Sequence, residues 1–138
     1  MRKKSPKKRK TKSDRKKLID KLDEVVREYC KQRAGWRCEK CGRQYEDGDG
    51  RLQWSHHFSR RHHGIRWDED NYSAHCGGCH IYLGGNPPIF SDWVKAKIGQ
   101  RRFDILQMKK AKPTIYRDAD LRLLIESYKE RLKALEAA

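Results

Sequence analysis

Apolar residues are scarce in this chain of 138 residues, of which 36% is hydrophobic and 38% is charged. That balance excludes a single large core and favours a small core supported by a bound metal. The chain also has no apolar run near the roughly 20 residues that a membrane-spanning helix needs. The basic N-terminus has no apolar stretch behind it, which argues against a secretory signal. We therefore expect a cytoplasmic protein without a membrane partner.

Acidic residues are scarce as well, since 34 Lys and Arg face only 19 Asp and Glu. The formal net charge of +15 points to a polyanionic partner, with nucleic acid ahead of an anionic membrane surface. Residues 1–17 alone carry eleven cations against one acid, Asp14. Like charges repel and nothing here can be buried, so we predict a disordered arm that either grips phosphates or merely solubilises the chain. The arm residues that we expect to contact DNA are Lys3, Lys4, Lys7, Lys8, Arg9 and Lys10.

Helical periodicity is clearest at the two ends of the remaining chain. Leu18, Leu22, Val25 and Tyr29 predict a helix from about residue 14 to 33, with Ser13 or Asp14 as its cap. Cys30 lies on the apolar face of this helix and is interpreted as a core residue. A last helix over about 118–136 has an apolar seam that could pack against the first helix or dimerise as a short coiled coil. The chain is therefore expected to be a monomer, or a homodimer through this helix.

Between these helices the sequence is short, turn-rich and full of His, Cys, Trp and Gly. A strand at 52–54 is expected to lead into His56 and His57, and Arg66 and Trp67 could form the returning strand. A helix should begin between residues 76 and 79 and end at the Gly-Gly-Asn-Pro-Pro run that starts at Gly84. Two amphipathic helices are expected at about 90–98 and 101–111. Their predicted buried residues are Phe90, Trp93, Val94, Ile98, Phe103, Leu106 and Met108.

Four of the five cysteines form two pairs, Cys38-x-x-Cys41 and Cys76-x-x-Cys79. In a reducing compartment this pattern indicates a metal rather than disulfides. The two-residue gap lets both sulfurs of a pair reach one zinc ion, and four thiolates leave that ion no open position. We therefore predict a structural zinc, with four unpaired reduced thiols as the alternative.

Histidine and asparagine recur around the cysteine pairs at spacings that resemble the HNH, or ββα-metal, nuclease superfamily. The resemblance is closest to phage NinG-type recombination nucleases and related phage HNH proteins. It covers roughly residues 18–135 and is most specific in the block 38–86. The segments that carry it are Trp54-Ser55-His56-His57, Arg66-Trp67-Asp68-Glu69-Asp70-Asn71 and Cys76-Gly77-Gly78-Cys79-His80.

The resemblance implies an α+β fold: a small zinc-stapled ββα-metal core (block 36–86) surrounded by α-helices. It divides the chain into the arm, residues 1–17, and an HNH nuclease domain, residues 18–138. It also implies a metal-dependent DNA endonuclease in which His57 is the general base. His56 and His80 align with ligands of a catalytic divalent ion, for which Mg²⁺ or Mn²⁺ is expected and Ni²⁺ or Zn²⁺ is compatible. Asn71 aligns with the residue that braces the loop.

Arg60 and Arg61 follow the histidines and could hold a phosphate of the DNA. One departure from the pattern is Gly84, which stands where some members have a further metal ligand. His62, His63 and His75 are possible substitutes.

No small-molecule cofactor is expected. Two alternatives remain. One is a non-catalytic zinc module that binds DNA, and the other, less favoured, is a protein that binds or cleaves RNA. The substrate is expected to be DNA, possibly branched or junction DNA formed in phage recombination.

Overall fold

The computed structural model describes residues 2–6 and 12–138, and its elements lie in the second of these ranges. Helices dominate, and one two-stranded antiparallel sheet lies among them. In chain order the elements are α1 Asp14–Arg33, β1 Leu52–His56, α2 His63–Arg66, β2 Tyr72–Cys76, α3 Gly77–Gly84, α4 Pro87–Ile98, α5 Gln100–Ala111 and α6 Asp118–Ala137. Within the described residues, no helix is both long enough and apolar enough to cross a membrane.

The predicted first helix is confirmed, and Ser13 caps it by accepting a hydrogen bond from the Lys16 N–H at 3.2 Å. Because α1 begins at Asp14, residues 14–17 belong to a helix and not to the arm. Among the predicted arm contacts, Lys3 and Lys4 are exposed. The other four, Lys7, Lys8, Arg9 and Lys10, lie outside the described residues.

Helix α6 packs along α1, as the first of the two alternatives predicted. Leu121, Ile125 and Tyr128 are buried in the shared core, and Leu132 and Leu135 pack against it. The Tyr128 ring meets Tyr29 of α1 edge-on, with ring centroids 5.4 Å apart. The apolar seam of α6 is therefore used within the chain.

The sheet pairs β1 with β2 so that Leu52 lies opposite Cys76 and His56 lies opposite Tyr72. The prediction of a returning strand at Arg66 and Trp67 is wrong. Arg66 ends the short helix α2, where its guanidinium binds the carboxylate of Asp23. The real strand was hard to recognise because all five of its residues are buried, which removes the alternation typical of a half-exposed strand.

The sheet separates two clusters of buried side chains. On one face, Leu52, Trp54, Tyr72 and Ala74 join the core shared by α1 and α6. On the other, α3, α4 and α5 form a smaller cluster of Leu83, Phe90, Val94 and Phe103. Helices α4 and α5 thus follow the predicted segments, but the prediction for Met108 is wrong, since its side chain is 62% exposed.

Asp23 on α1 fixes the segment between the two strands to the helical pair. Its carboxylate, buried at 8% exposure, accepts hydrogen bonds from Arg66 Nε at 3.0 Å and Trp67 Nε1 at 2.9 Å. Arg60 Nη2 adds a third donor at 3.1 Å. Burial alone would raise the pKa of Asp23, but the hydrogen bonds from Arg66 and Trp67 outweigh it and hold that pKa below its usual value.

Replacing Asp23 should therefore destabilise the fold. Asp23→Ala leaves the guanidinium of Arg66, which is 14% exposed, without its counter-charge. We expect a loss of about 3 kcal/mol in the free energy of unfolding, measured by urea denaturation at pH 7. Because the pKa is lowered in the folded state, this contribution is present above about pH 4 and disappears as the pH falls through the folded-state value.

The control is Asp20→Ala on the same helix. Asp20 pairs with Lys12 at 2.8 Å and with Lys16 at 2.5 Å in solvent, and such surface pairs contribute little. Equal losses in the two variants would contradict the anchoring role of Asp23.

Candidate functional site

The four paired cysteines meet at one end of the sheet. Their sulfur atoms all lie within 4.8 Å of one another, and Cys41 Sγ lies 3.8 Å from Cys76 Sγ. Tetrahedral zinc with bonds of about 2.3 Å separates its sulfurs by about 3.8 Å. The cluster could therefore hold a zinc ion, as the cysteine spacing predicts.

Local backbone structure brings the two pairs into position. The first pair sits on a turn in which the Gly42 N–H donates to the Cys38 carbonyl at 2.9 Å, and Gly42 has a φ of +80°, which favours glycine. The second pair begins α3, where Cys76 Sγ accepts a hydrogen bond from the Cys79 N–H. The Glu39 N–H donates to the Ala74 carbonyl at 2.8 Å, which joins the turn to β2.

The ionisation of these thiols also suits a cation. Burial and, after it, the neighbouring sulfurs raise the pKa of Cys79 to about 12. Burial would raise the pKa of Cys38 too, but hydrogen bonds from the backbone N–H groups of Cys41, Cys76 and Lys40 outweigh it and lower that pKa to about 7. Four adjacent thiolates can therefore coexist only if a cation compensates their charge, which is what zinc supplies.

Asn71 lies at the other end of the sheet and closes the loop between the two strands. Its Oδ1 accepts from the Phe58 N–H at 2.8 Å, and its Nδ2 donates to the carbonyls of Phe58 and Ile65, each at 3.1 Å. The side chain is 1% exposed. These three hydrogen bonds hold residues 58–65 against the sheet. The role that the resemblance implies for Asn71 in the site stays a prediction.

His57 lies beside this brace, on the face of the sheet that α4 and α5 cover. The His57 N–H donates to the Asn71 carbonyl at 3.0 Å, so the backbone fixes its position. Its ring contacts Phe58, Phe90 and Phe103, with centroid distances of 4.4, 4.8 and 5.6 Å. Nε2 lies 3.4 Å from Ser91 Oγ, and Nδ1 is buried without a hydrogen-bonding partner among the described residues.

Burial, followed by the charges of Lys110 and Lys95, lowers the pKa of His57 to about 4. At neutral pH the imidazole is therefore uncharged and has a lone pair free to take a proton. The two lysines were not recognised from the sequence, because they lie on α4 and α5, far along the chain from His57. Only the folded chain brings them to the histidine.

His56 and His80 occupy opposite faces of the sheet. His56 Nε2 donates to the Arg66 carbonyl at 2.9 Å, and its ring packs on Trp54 with centroids 4.2 Å apart, on the α1 side. His80 Nδ1 lies 2.6 Å from Gln53 Oε1, on the α4 side. Within residues 2–6 and 12–138, the four cysteines form the one group of three or more potential ligands. The structure therefore does not bring His56 and His80 together, because their side chains lie on opposite faces of the sheet.

The other histidines and the two arginines are spread over the same region. His75 lies on β2 opposite Gln53, fully buried against Trp93, and neither ring nitrogen has a partner within the described part of the chain. His62 and His63 lie at the start of α2. Among the described residues, neither side chain forms a hydrogen bond with Gln53, the partner of His80. Arg60 is bound to Asp23, whereas Arg61 is exposed.

A family model described as Bacteriophage Lambda NinG protein matches residues 1–137 of the chain. A search of curated proteins found no match. A search of solved structures found none either.

The cysteine cluster predicts about one tightly bound zinc per chain, measured by metal analysis of purified protein. Cys38→Ser should lose this zinc, because a hydroxyl is a poor substitute for a thiolate ligand. The matched control is Cys30→Ala, which removes a fully buried thiol that belongs to the α1 core. A folded wild-type protein without zinc, or equal zinc loss in both variants, would refute the assignment.

Asn71→Ala should loosen the loop while leaving the zinc bound. It strips partners from one buried N–H and two carbonyls, which costs about 2–4 kcal/mol of stability in urea denaturation. The control is Asn86→Ala, which loses a single hydrogen bond, to the Tyr82 carbonyl at 2.7 Å, near the surface. An Asn71 variant no less stable than the Asn86 variant would rule out the bracing role.

Proposed function

Because the chain belongs to the NinG family and is thereby associated with phage recombination, we propose that it is an endonuclease that hydrolyses DNA phosphodiester bonds, with His57 as its general base. The observation that carries the proposal is the environment of His57. An uncharged imidazole stands beside a loop braced by Asn71 and is flanked by two lysines.

His57 is suited to accept a proton from an attacking water. Its low pKa leaves it unprotonated across the neutral range, and Ser91 Oγ, near Nε2, is a polar neighbour that could help to orient that water. General base catalysis also needs a fixed geometry. The backbone hydrogen bond to Asn71 and the three surrounding phenylalanine rings provide it.

Lys95 and Lys110 add positive charge where a DNA phosphate would approach His57. Lys95 Nζ lies 5.0 Å from the Phe103 ring centroid, and Lys110 Nζ lies 4.6 Å from that of Phe58. Both rings contact His57. Fixed cations stabilise the negative charge that develops on the phosphate in the transition state.

A catalytic divalent ion, Mg²⁺ or Mn²⁺ by expectation, is part of the resemblance, but the positions of His56 and His80 do not support a shared site. The residues of the proposed reaction are therefore those around His57, and cleavage assays with Mg²⁺, Mn²⁺ or EDTA report whether the reaction requires such an ion. His56 is explained by its bond to the Arg66 carbonyl, which ties β1 to α2.

The separation of His56 from His80 favours a second candidate, a zinc-containing DNA-binding accessory protein without catalysis. Both candidates agree with the basic charge and with the phage recombination family. They differ in their dependence on His57, because an accessory protein has no use for a base there.

The test is incubation with supercoiled plasmid, linear duplex and four-way junction DNA in the presence of Mg²⁺, Mn²⁺ or EDTA. Wild-type protein should cleave at least one of these DNAs, with a preference for the junction if the substrate is a recombination intermediate. His57→Ala should lower the cleavage rate by about 10²–10⁴-fold, the usual effect of losing a general base.

Two controls separate chemistry from folding. His57→Gln fills the space between the phenylalanine rings but has no basic nitrogen, so it should be as inactive as His57→Ala. Both variants should keep the zinc content and the DNA affinity of the wild type. Wild-type rates in the glutamine variant would refute the role of His57 as the base. A wild-type protein that binds these DNAs but cuts none of them would support the accessory protein instead.

A further inference from the structure

We propose that the phosphate backbone of the DNA leaves His57 through a cationic groove between the loop after that histidine and the end of α5. This inference rests on the proposed function, for which it defines the path of the substrate. The groove has a volume of about 360 Å³. Arg61, His62 and His63 form one wall, and Lys109, Lys110 and Lys112 form the other.

Three of the four lysines and arginines that line the groove have no acidic partner among the described residues. Among the described residues, no carboxylate lies within ion-pair distance of Arg61, Lys110 or Lys112, and no Asp or Glu lines the groove. Lys109 is the exception, since it binds Asp68 at 2.9 Å. By contrast, Arg60 outside the groove is tied to Asp23. The groove therefore holds positive charge that the described chain does not neutralise.

The lining of the groove suits a phosphate better than an apolar ligand. Small-molecule pockets are lined mainly by apolar and aromatic side chains, whereas this groove adds only Gly64, Pro113 and Thr114 to its basic residues. The pKa of His62 reflects the positive charge of the groove. Burial is the main cause of its lowered value, and the charges of Arg61 and Lys110 lower it as well. An anion in the groove would relieve this repulsion.

Lys110 connects the groove to the proposed base. Its ammonium lies over Phe58, and the Phe58 ring contacts the ring of His57. A strand whose phosphate lies at His57 would therefore place a neighbouring phosphate within reach of Lys110 and then of Arg61 and Lys112. Phosphate contacts of this kind position a duplex without reading its sequence.

Contact between the two walls fixes the shape of the groove. A Cβ atom on Gly64 would lie 2.6 Å from Thr114 Oγ1 and 3.1 Å from Thr114 Cβ. The loop can thus approach the segment after α5 only because residue 64 has no side chain. Gly64→Ala would force the side chain of Thr114 to shift without changing any charge.

The experiment compares two double variants with the same change in net charge. Lys110→Gln with Lys112→Gln alters the groove, and Lys129→Gln with Lys133→Gln alters exposed positions further along α6. Binding of a labelled linear duplex is measured over a salt series without added divalent ion. Each phosphate contact contributes about 0.9 to the slope of log affinity against log salt. The groove variant should lose up to about 1.8 from the slope, and the α6 variant should keep the wild-type slope.

Gly64→Ala provides a second test of the groove, in which no charge is changed. It should weaken binding at a fixed salt concentration, while Gly50→Ala, at a loop position where a Cβ meets nothing within 4 Å, should not. An unchanged slope in the groove variant, or an equal loss of slope in both double variants, would overturn the groove.

A parallel cleavage assay keeps the two proposals apart. Cleavage by wild-type protein together with an unchanged slope would refute the groove and leave the endonuclease standing. A smaller slope in the groove variant together with no cleavage under any condition would support the groove as a DNA site and refute the endonuclease.

Discussion

The pairing of β1 with β2 is the constraint on which the rest of the molecule depends. A two-stranded sheet is marginally stable by itself, and this one is held at both ends. At one end the four sulfurs join the Cys38 turn, the end of β2 and the start of α3. At the other end Asn71 closes the connecting loop with three hydrogen bonds. The register of the sheet then decides which residues contact α1 and α6 and which contact α4.

That register gives the two adjacent histidines different surroundings. Side chains alternate between the faces of a strand, so His56 turns towards α1 and Arg66, while His57 turns towards α4 and α5. Adjacent positions in the sequence therefore have separate uses. His56 contributes to the attachment of α2, and His57 is the position that we propose for the general base.

The positive charges are divided in a similar way. Arg60, Arg66 and Arg102 each bind a carboxylate of the fold, at Asp23 or Asp70. These pairs attach the loop between the strands to α1 and α5. Arg61, Lys110 and Lys112 surround the same loop without such partners among the described residues. The basic residues around this loop are thus of two kinds: some stabilise the fold through ion pairs, and others have no acidic partner among the described residues.

The sequence predicted features whose causes are local. Helix α1 was predicted at its observed bounds because its apolar period and its Ser13 cap lie within one segment. The cysteine pairs were recognisable because zinc imposes a short spacing. Strand β2 was missed, since complete burial hides its period. The neighbours of His57 could not be predicted, because Lys95 and Lys110 reach it only through the packing of α4 and α5.

The same packing suggests how DNA binding and catalysis would be coupled at His57. A base with a pKa of about 4 takes up a proton weakly near neutral pH. Burial is the main cause of that depression, and the charges of Lys110 and Lys95 add to it because they disfavour a second cation nearby. A phosphate bound between them would neutralise that charge and raise the pKa of His57. The imidazole would then become a stronger base only when DNA is in place, which follows from the position of the lysines and requires no movement of the fold.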